Sequence, residues 1–497
     1  MFEVKDISII VQNRYFIKDL SFSLNKKDKL AIIGEEGNGK STLVKCLLEI
    51  CDYATLKGTI NNKGNTIGYL PQQQENTQKS VFNYLFDSTN AYYNKISDFY
   101  KYLNQLNISE TLIHQSMSSL SGGESVKIRI LKLLLEDYDI LFFDEPTNDL
   151  DIETLKWLED FIIKCEKPIL YVSHDETLLK KTANMIIHIE QRKKKTQCLC
   201  NVAKMDYTSY IETRTNSLEN QTRIAGNEKR EFEKKEKILN QIKQKVDYQL
   251  NTISRSDPHG AKLLKKKMHS IKSQEKKLNQ TIITEKPDVE EEIHFFFENE
   301  EIPNHKIVLE EKISELKIGE KILSKNIELN ISGPSHVCII GKNGVGKSTL
   351  LKAIYEKLKN RKDLKVGYMP QNYEEILNLE ENVSDFITNH KASEITKSRM
   401  YLGNMNFTKE EMTTKIKNLS NGSIAKLLLI KLVLEECNVL ILDEPTRNIS
   451  PLSNPVIREV LKNFKGTIIS ISHDRLFINE VMDEIYELTK EGLTKIK

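Results

Sequence analysis

Hydrophobic positions along the chain follow two different periods, and the change of period divides it into three parts. Toward both ends, short apolar runs such as Lys29–Ile33, Asp139–Phe143 and Pro168–Val172 lie between polar turns. Such runs suit strands buried on both faces. They alternate with helical stretches such as Ser41–Glu49, which predicts an α/β fold around a largely parallel sheet. In the middle of the chain the apolar residues thin out and recur every seven positions. They fall at Leu218, Ala225, Phe232, Leu239, Val246 and Ile253, then at Leu264, Ile271 and Leu278, with Met268 and Ile282 beside them. That spacing predicts two long antiparallel helices zipped along a seam. An arm of about 45 residues would be roughly 65 Å long. Pro258 and Gly260, within Ser254–Gly260, are expected to break the helix and mark the tip.

The two outer parts repeat each other. Gly34-Glu-Glu-Gly-Asn-Gly-Lys40-Ser41-Thr42 returns as Gly341-Lys-Asn-Gly-Val-Gly-Lys347-Ser348-Thr349, and Gly68-Tyr-Leu-Pro71-Gln72 as Gly367-Tyr-Met-Pro370-Gln371. Asp144-Glu145-Pro146-Thr147 returns as Asp443-Glu444-Pro445-Thr446, and Ser173-His174-Asp175 as Ser472-His473-Asp474. From aspartate to histidine is 174 − 144 = 30 residues in one copy and 473 − 443 = 30 in the other. Four motifs in one order, twice, mean duplication. The expected domains are cassette 1 (1–206), a hairpin linker (207–305, tip about 254–260) and cassette 2 (306–497).

Each copy carries phosphate chemistry. A glycine-rich loop between a strand and a helix points backbone N–H groups at an anion. The glycines involved are Gly34, Gly37 and Gly39, and Gly341, Gly344 and Gly346. Lys40 and Lys347 are expected to reach the β and γ phosphates of ATP. Ser41 and Ser348 are expected on Mg²⁺, with Thr42 and Thr349 beside them. Asp144 and Asp443 end apolar strands and suit the metal; Glu145 and Glu444 suit the attacking water. His174 and His473 are placed for the γ-phosphate or that water. A bare glycine-rich turn, or an acid pair that merely caps a helix, does not account for two matched sets.

Leu120-Ser121-Gly122-Gly123-Glu124 opens a further helix with small residues at an anion-binding start. With that segment, both outer parts resemble the ATP-binding cassette superfamily. The resemblance implies two ATP sites shared head to tail, in a monomer whose cassettes pair within one chain. Lys40, Ser41, Gln72, Asp144, Glu145 and His174 would then face Ser420 and Gly422. Lys347, Ser348, Gln371, Asp443, Glu444 and His473 would face Ser121, Gly122 and Gly123. Gln72 and Gln371 would join the serines and aspartates around Mg²⁺. The copies differ: cassette 2 has Asn421 and Ser423 in its Ser420-Asn-Gly422-Ser segment, and Arg447-Asn-Ile-Ser450 where cassette 1 has Asn148-Asp-Leu-Asp151. Tyr15, 25 residues before Lys40, can stack on adenine, whereas cassette 2 has Ile322. Two bound nucleotides with unequal hydrolysis are expected, the site on Lys40 being the slower.

Charge changes the picture only locally. The chain has 497 residues and a net charge of +2, so no global basic bias points to nucleic acid. Residues 211–284, however, hold 17 Lys and Arg against 9 Asp and Glu, a net of +8. Lys262, Lys265, Lys266 and Lys267 sit just past the tip, and residues 285–301 then carry eight acids and one lysine. A solvated spacer is the plain reading of a charge run, but a linker this long exceeds what joining two cassettes requires. The combination resembles the ABC-F family. That implies binding to the 70S ribosome at the tRNA exit site, with the hairpin against 23S rRNA and peptidyl-site tRNA, toward the peptidyl-transferase centre. Gln72 to Leu120 and Gln371 to Leu419 are both 48 residues, so no arm is inserted in cassette 1, and 24 residues follow His473. This looks more like the antibiotic-resistance ribosome-protection group, acting on lincosamides, pleuromutilins and streptogramin A, than like the housekeeping translation factors. A fused transporter ATPase would not need a basic hairpin, and DNA-repair ATPases usually interrupt one cassette with their coil. No signal peptide or membrane span is expected, and the seven scattered cysteines fit reduced thiols. A cytoplasmic, ribosome-associated protein is therefore expected.

Overall fold

The computed structural model describes residues 2–11, 14–72, 78–86, 89–192, 197–252, 258–279, 297, 302–388 and 395–497. Its contacts form two units, one of Met1–Tyr207 with Glu290–Lys497 and one of Thr208–Val289.

In the first unit each cassette is built on a six-stranded sheet. Cassette 1 orders its strands Ile67–Leu70, Ile140–Asp144, Ile169–Val172, Lys29–Gly34, Met185–Arg192 and Gln197–Ala203. The first five are parallel and the edge strand Gln197–Ala203 is antiparallel. Every residue of Lys29–Gly34, Ile140–Asp144 and Ile169–Val172 is buried, as continuous apolar runs between helical layers should be. Cassette 2 repeats the order with Val366–Met369, Val439–Asp443, Thr467–Ile471, His336–Ile340, Glu484–Leu488 and Leu493–Lys495. The sequence-based helix Ser41–Glu49 is observed as Lys40–Leu47. Where the two copies diverge is the outer sheet. Phe2–Val11, Arg14–Leu24 and Thr55–Asn61 make three antiparallel strands in cassette 1, against the pair Lys306–Ile318 and Lys321–Gly333 in cassette 2. All seven cysteines are free.

The second unit is a helical hairpin. One helix runs Tyr207–Thr252, 46 residues, and the other Pro258–Asn279, 22 residues; the longer is about 69 Å at the usual rise. The seven-residue seam is real. Ala225, Val246 and Ile271 are buried, and Leu218, Phe232, Leu239, Leu264, Met268 and Leu278 are half-buried. Lys243 Nζ bonds both carboxylate oxygens of Glu275 at 3.0 Å, tying the antiparallel arms together. Ile253, Ser254–Asp257 and Ile282 lie outside the described residues. One expectation is corrected: Pro258 and Gly260 do not break the helix but form its first turn. Proline costs nothing there, because a first-turn N–H has no helical acceptor in any case. Among the described residues no helix is long and apolar enough to cross a membrane.

Candidate functional site

The two glycine loops share one backbone geometry. Gly39 and Gly346 cap their helices with φ of 90° and 99°, a region that Cβ-bearing residues avoid. A Cβ on Gly39 would also press on the Phe16 ring, and one on Gly346 on Leu316 and Leu323. Lys40 Nζ donates to the carbonyls of Gly34 and Glu35 at 2.9 and 3.1 Å. Lys347 Nζ does the same to Gly341 and Lys342 at 2.8 and 3.0 Å. Each ammonium is thus held across its own loop. Ser41 Oγ donates to Asp144 Oδ1 at 2.9 Å, which joins the loop to the end of a core strand.

The two acid pairs are buried and electrostatically unequal. Burial pushes Asp144 and Asp443 each up to about 6. Burial also works against the charge on Glu145, but His174 outweighs it and holds the carboxyl below its ordinary range; His174 Nε2 lies 2.9 Å from Glu145 Oε1. In cassette 2 the corresponding separation is 3.7 Å. Burial and the Asp443 charge push Glu444 up to about 8, while burial and Lys347 push His473 down to about 4. Glu145 and Glu444 both have left-handed φ, 52° and 53°, a strained setting that often marks a functional position. Glu145 Oε2, His174 Nδ1, Glu444 Oε1 and His473 Nδ1 are buried with no hydrogen-bond partner. Polar atoms left in that state fit a site built for a ligand and its waters.

The cassettes complete each other's loops. A 650 Å³ cavity joins Lys347, Ser348, Gln371, Asp443, Glu444 and His473 to Gly122 and Asp149 of cassette 1. We call this the second composite site. Asp149 is its hub. Arg447 Nη2 and Gln371 Nε2 donate to its carboxylate at 2.8 and 3.2 Å, and Asn343 Nδ2 donates to its carbonyl at 2.6 Å. Gly122 and Gly123 leave no room for a Cβ against Asp149 and Thr154. Ser121 caps the signature helix Gly122–Leu135 in a reciprocal box with Glu124.

The first composite site meets its partner differently. Glu35 and Glu36, inside the cassette 1 loop, reach cassette 2. Lys426 Nζ lies 2.7 Å from Glu35 Oε2 and 3.1 Å from Glu36 Oε2. Ser450 and Ser453 also donate to Glu35, the latter at 2.7 Å. Burial opposes both charges, yet the pairing holds Glu35 below the usual carboxylate range and Lys426 above the usual lysine range. Gly422 stands against Glu36, with no space for a Cβ between them. Ser420 caps the helix Asn421–Leu434, accepting from Ser423 N at 3.1 Å.

Most of the sequence-based set is therefore brought together. Gln72 is exposed. Phe16 rather than Tyr15 lies against the loop, and Tyr15 is exposed on the outer sheet. In cassette 2 aliphatic Ile318 and Leu323, with Lys321, line the cavity. Sequence reasoning missed Glu35, Glu36 and Lys426, and the central part of Asp149. The signal was present: two carboxylates in a loop shaped for phosphate call for a nearby cation.

A loop lysine, a strand-end carboxylate beside a loop serine and hard oxygen donors fit ATP with Mg²⁺. Among the described residues no group of three or more His, Cys, Asp or Glu could hold a metal alone, as expected where Mg²⁺ takes most of its ligands from phosphates and water. This fold and these paired sites define a tandem-cassette ATP hydrolase. The ABC transporter family model matches residues 17–148 and 324–447. The chain is 28% identical to the ATP-binding protein Uup of Buchnera aphidicola subsp. Acyrthosiphon pisum, over 99% of this chain and 81% of that one. It is also 28% identical to the ribosome protection protein VmlR of Bacillus subtilis, over 99% and 87%. ABC transporter F family members of Arabidopsis thaliana match as well. The archaeal ribosome recycling factor aABCE1, solved with the stalk protein aP1, shares the fold with a TM-score of 0.59, 17% identity and coverage of 96% and 88%. The chain belongs to the ABC transporter family of ATPases, in its ABC-F branch.

Proposed function

We propose that the protein is a cytoplasmic ribosome-binding ATPase whose cassettes, 1–206 and 306–497, close on ATP and pose the hairpin 207–305 near the peptidyl-transferase centre. It thereby protects the ribosome from lincosamide, pleuromutilin and streptogramin A drugs. The observation that carries this reading is the hairpin: a zipped pair of helices with a net charge of +8 over 211–284. Basic side chains along a rigid arm neutralise RNA phosphates, and shape rather than base readout sets the fit. The match to VmlR, whose name states ribosome protection, supports it.

Ser41 and Asp144, and Ser348 and Asp443, would hold Mg²⁺, which when bound would supply charge neutralisation for the transferring phosphoryl group. Around it Lys40 and Lys347 hold the β and γ phosphates. Glu145 and Glu444 orient and deprotonate water. His174 and His473 fix those glutamates or contact the γ-phosphate. Gln72 and Gln371 join the metal's surroundings, Tyr15 supports the base, and Ser121, Gly122, Gly123, Ser420 and Gly422 close on the nucleotide from across the interface. Glu145→Gln with Glu444→Gln should abolish turnover while keeping ATP bound and the cassettes closed.

Expression in a susceptible bacterium should raise inhibitory concentrations for at least one of the three drug classes. Replacing Ser254–Gly260 should remove that protection and leave ATPase activity intact. No change with any of the three would sink the resistance reading. A housekeeping translation factor of the same branch is the second reading, because identity to Uup equals that to VmlR. It expects salt-sensitive ribosome co-sedimentation in ATP without any change in drug susceptibility.

A further inference from the structure

The cassette interface is segregated by charge. Seven ion pairs between the cassettes are seen among the described residues: Glu35 and Glu36 with Lys426, Asp149 with Arg447, Glu153 with Lys342, Glu159 and Asp175 with Arg475, and Glu176 with Arg458. In every one the acid belongs to cassette 1 and the cation to cassette 2.

Four of these residues are related by the internal repeat. Asp144 and His174 correspond to Asp443 and His473 with one offset of 299, so no gap intervenes. On that offset, 159 + 299 = 458 and 176 + 299 = 475. Glu159 and Arg458 are equivalent positions, as are Glu176 and Arg475. The observed contacts cross them: Glu159 meets Arg475, and Glu176 meets Arg458, whose Nη1 lies 2.6 Å from Glu176 Oε1. The two contacts are thus one contact repeated about a pseudo-twofold axis, with the sign of charge exchanged as a block. Pairing cassette 1 with a second cassette 1 would set Glu159 against Glu176 twice. Pairing cassette 2 with itself would set Arg458 against Arg475 twice.

We infer that this interface selects a cassette 1 face for a cassette 2 face and rejects like pairs. The four side chains are largely buried, with relative exposures of 4% for Glu159, 7% for Glu176, 4% for Arg458 and 14% for Arg475. A buried like-charge pair finds little screening. Neighbouring groups of each cassette's own sign balance are present: Lys181 on Glu159, Lys180 on Glu176, Glu480 on Arg458, and Asp474 near both arginines. Lys180, Lys181 and Glu480 are more than 40% exposed, and such rim charges contribute little. The inference rests on the fold and the repeat, and stands whether or not the ribosome is the partner.

The test uses full-length chains. Glu159→Arg with Glu176→Arg sets cation against cation at both repeated contacts; Arg458→Glu with Arg475→Glu sets acid against acid there. Each double variant should lose ATP-dependent closure, followed by energy transfer between labels on the two cassettes, with ATPase activity down on the order of a hundredfold. Combining all four changes restores opposite charges and should return activity to within about tenfold of wild type. Mixing the two double variants should give a heterodimer by native mass spectrometry, while wild type stays monomeric. Wild-type closure and turnover in both double variants would overturn the inference. So would a folded fourfold variant no more active than the doubles. Should the fourfold exchange fail to fold, Glu176→Arg with Arg458→Glu, compared with each single change, decides the matter by the same criterion of mutual rescue.

Discussion

Two ATP sites made from the same motifs meet their opposite cassettes in different ways. At the second composite site, Lys342 and Asn343 stand in the loop, and a 650 Å³ cavity reaches from Lys347 to Gly122. At the first, Glu35 and Glu36 take those positions and bond Lys426 directly. Both sites have ion pairs across the cassettes, but Asp149–Arg447 and Glu153–Lys342 at the second lie on an exposed rim, whereas the Glu35, Glu36 and Lys426 cluster at the first is buried. The difference teaches that duplication conserved the phosphate loop while the residues around it diverged toward separate tasks. From that difference a standing contact is expected at the first site and most of the hydrolysis at the second.

The largest effect expected from this comparison is on turnover. Glu444→Gln should lower ATPase activity by about a hundredfold or more, within the range for losing a general base, and Glu145→Gln by less than about tenfold. Steady-state phosphate release from the two single variants checks it; equal losses would erase the distinction between the sites. Next in size is the contact at the first site. Lys426→Met leaves Glu35 and Glu36 facing each other without their cation. Breaking a buried pair from one side costs about 3–5 kcal/mol, so thermal unfolding of the paired cassettes should fall clearly. Glu35→Gln with Glu36→Gln and Lys426→Met together should recover much of that loss, measurable by calorimetry.

Smaller effects belong to the second site's rim. Asp149→Ala removes an exposed partner of Arg447, worth about 1 kcal/mol or less, but also a bond to Gln371. A few-fold rise in the ATP concentration needed for half-maximal rate is expected. The pH response is the subtlest. Burial and Asp443 push Glu444 up to about 8, so the share of carboxylate able to take a proton from water grows as pH rises toward that value. Its activity as a base appears as pH rises through that value. In a Glu145→Gln background the rate should therefore climb between about pH 7 and 9. Added Mg²⁺ favours the carboxylate and should move the climb to lower pH. A flat profile at limiting Mg²⁺ would contradict this.

Much of the molecule was legible in its sequence, because repeated motifs and apolar periods report directly on backbone environment. Buried runs around Ile140–Asp144 and Ile169–Val172 gave the parallel sheet, and the seven-residue recurrence gave the seam through Ala225, Val246 and Ile271. Pro258 misled because a helix breaker in the interior is a good residue in a first turn. Tyr15, singled out by its spacing from Lys40, lies exposed on the outer sheet, while alternation along the strand turns its neighbour Phe16 toward the loop. The interface charges were hidden for another reason. Glu159 and Arg475 lie 475 − 159 = 316 residues apart, and only the pairing of two folded cassettes makes them neighbours. Aligning the copies position by position shows the Glu-to-Arg exchanges, but not that the exchanged residues touch.

The inequality of the two sites is tested most directly by distances. Spin-label pairs would be placed across each composite site in a chain lacking its seven native cysteines. Pulsed electron resonance would then record both distances with ADP, and with ATP in the Glu145→Gln, Glu444→Gln chain. The distance across Glu35 and Lys426 should stay within one narrow distribution in both states, while the distance across Lys347 and Gly122 shortens with ATP. Equal opening at both sites with ADP would contradict the account.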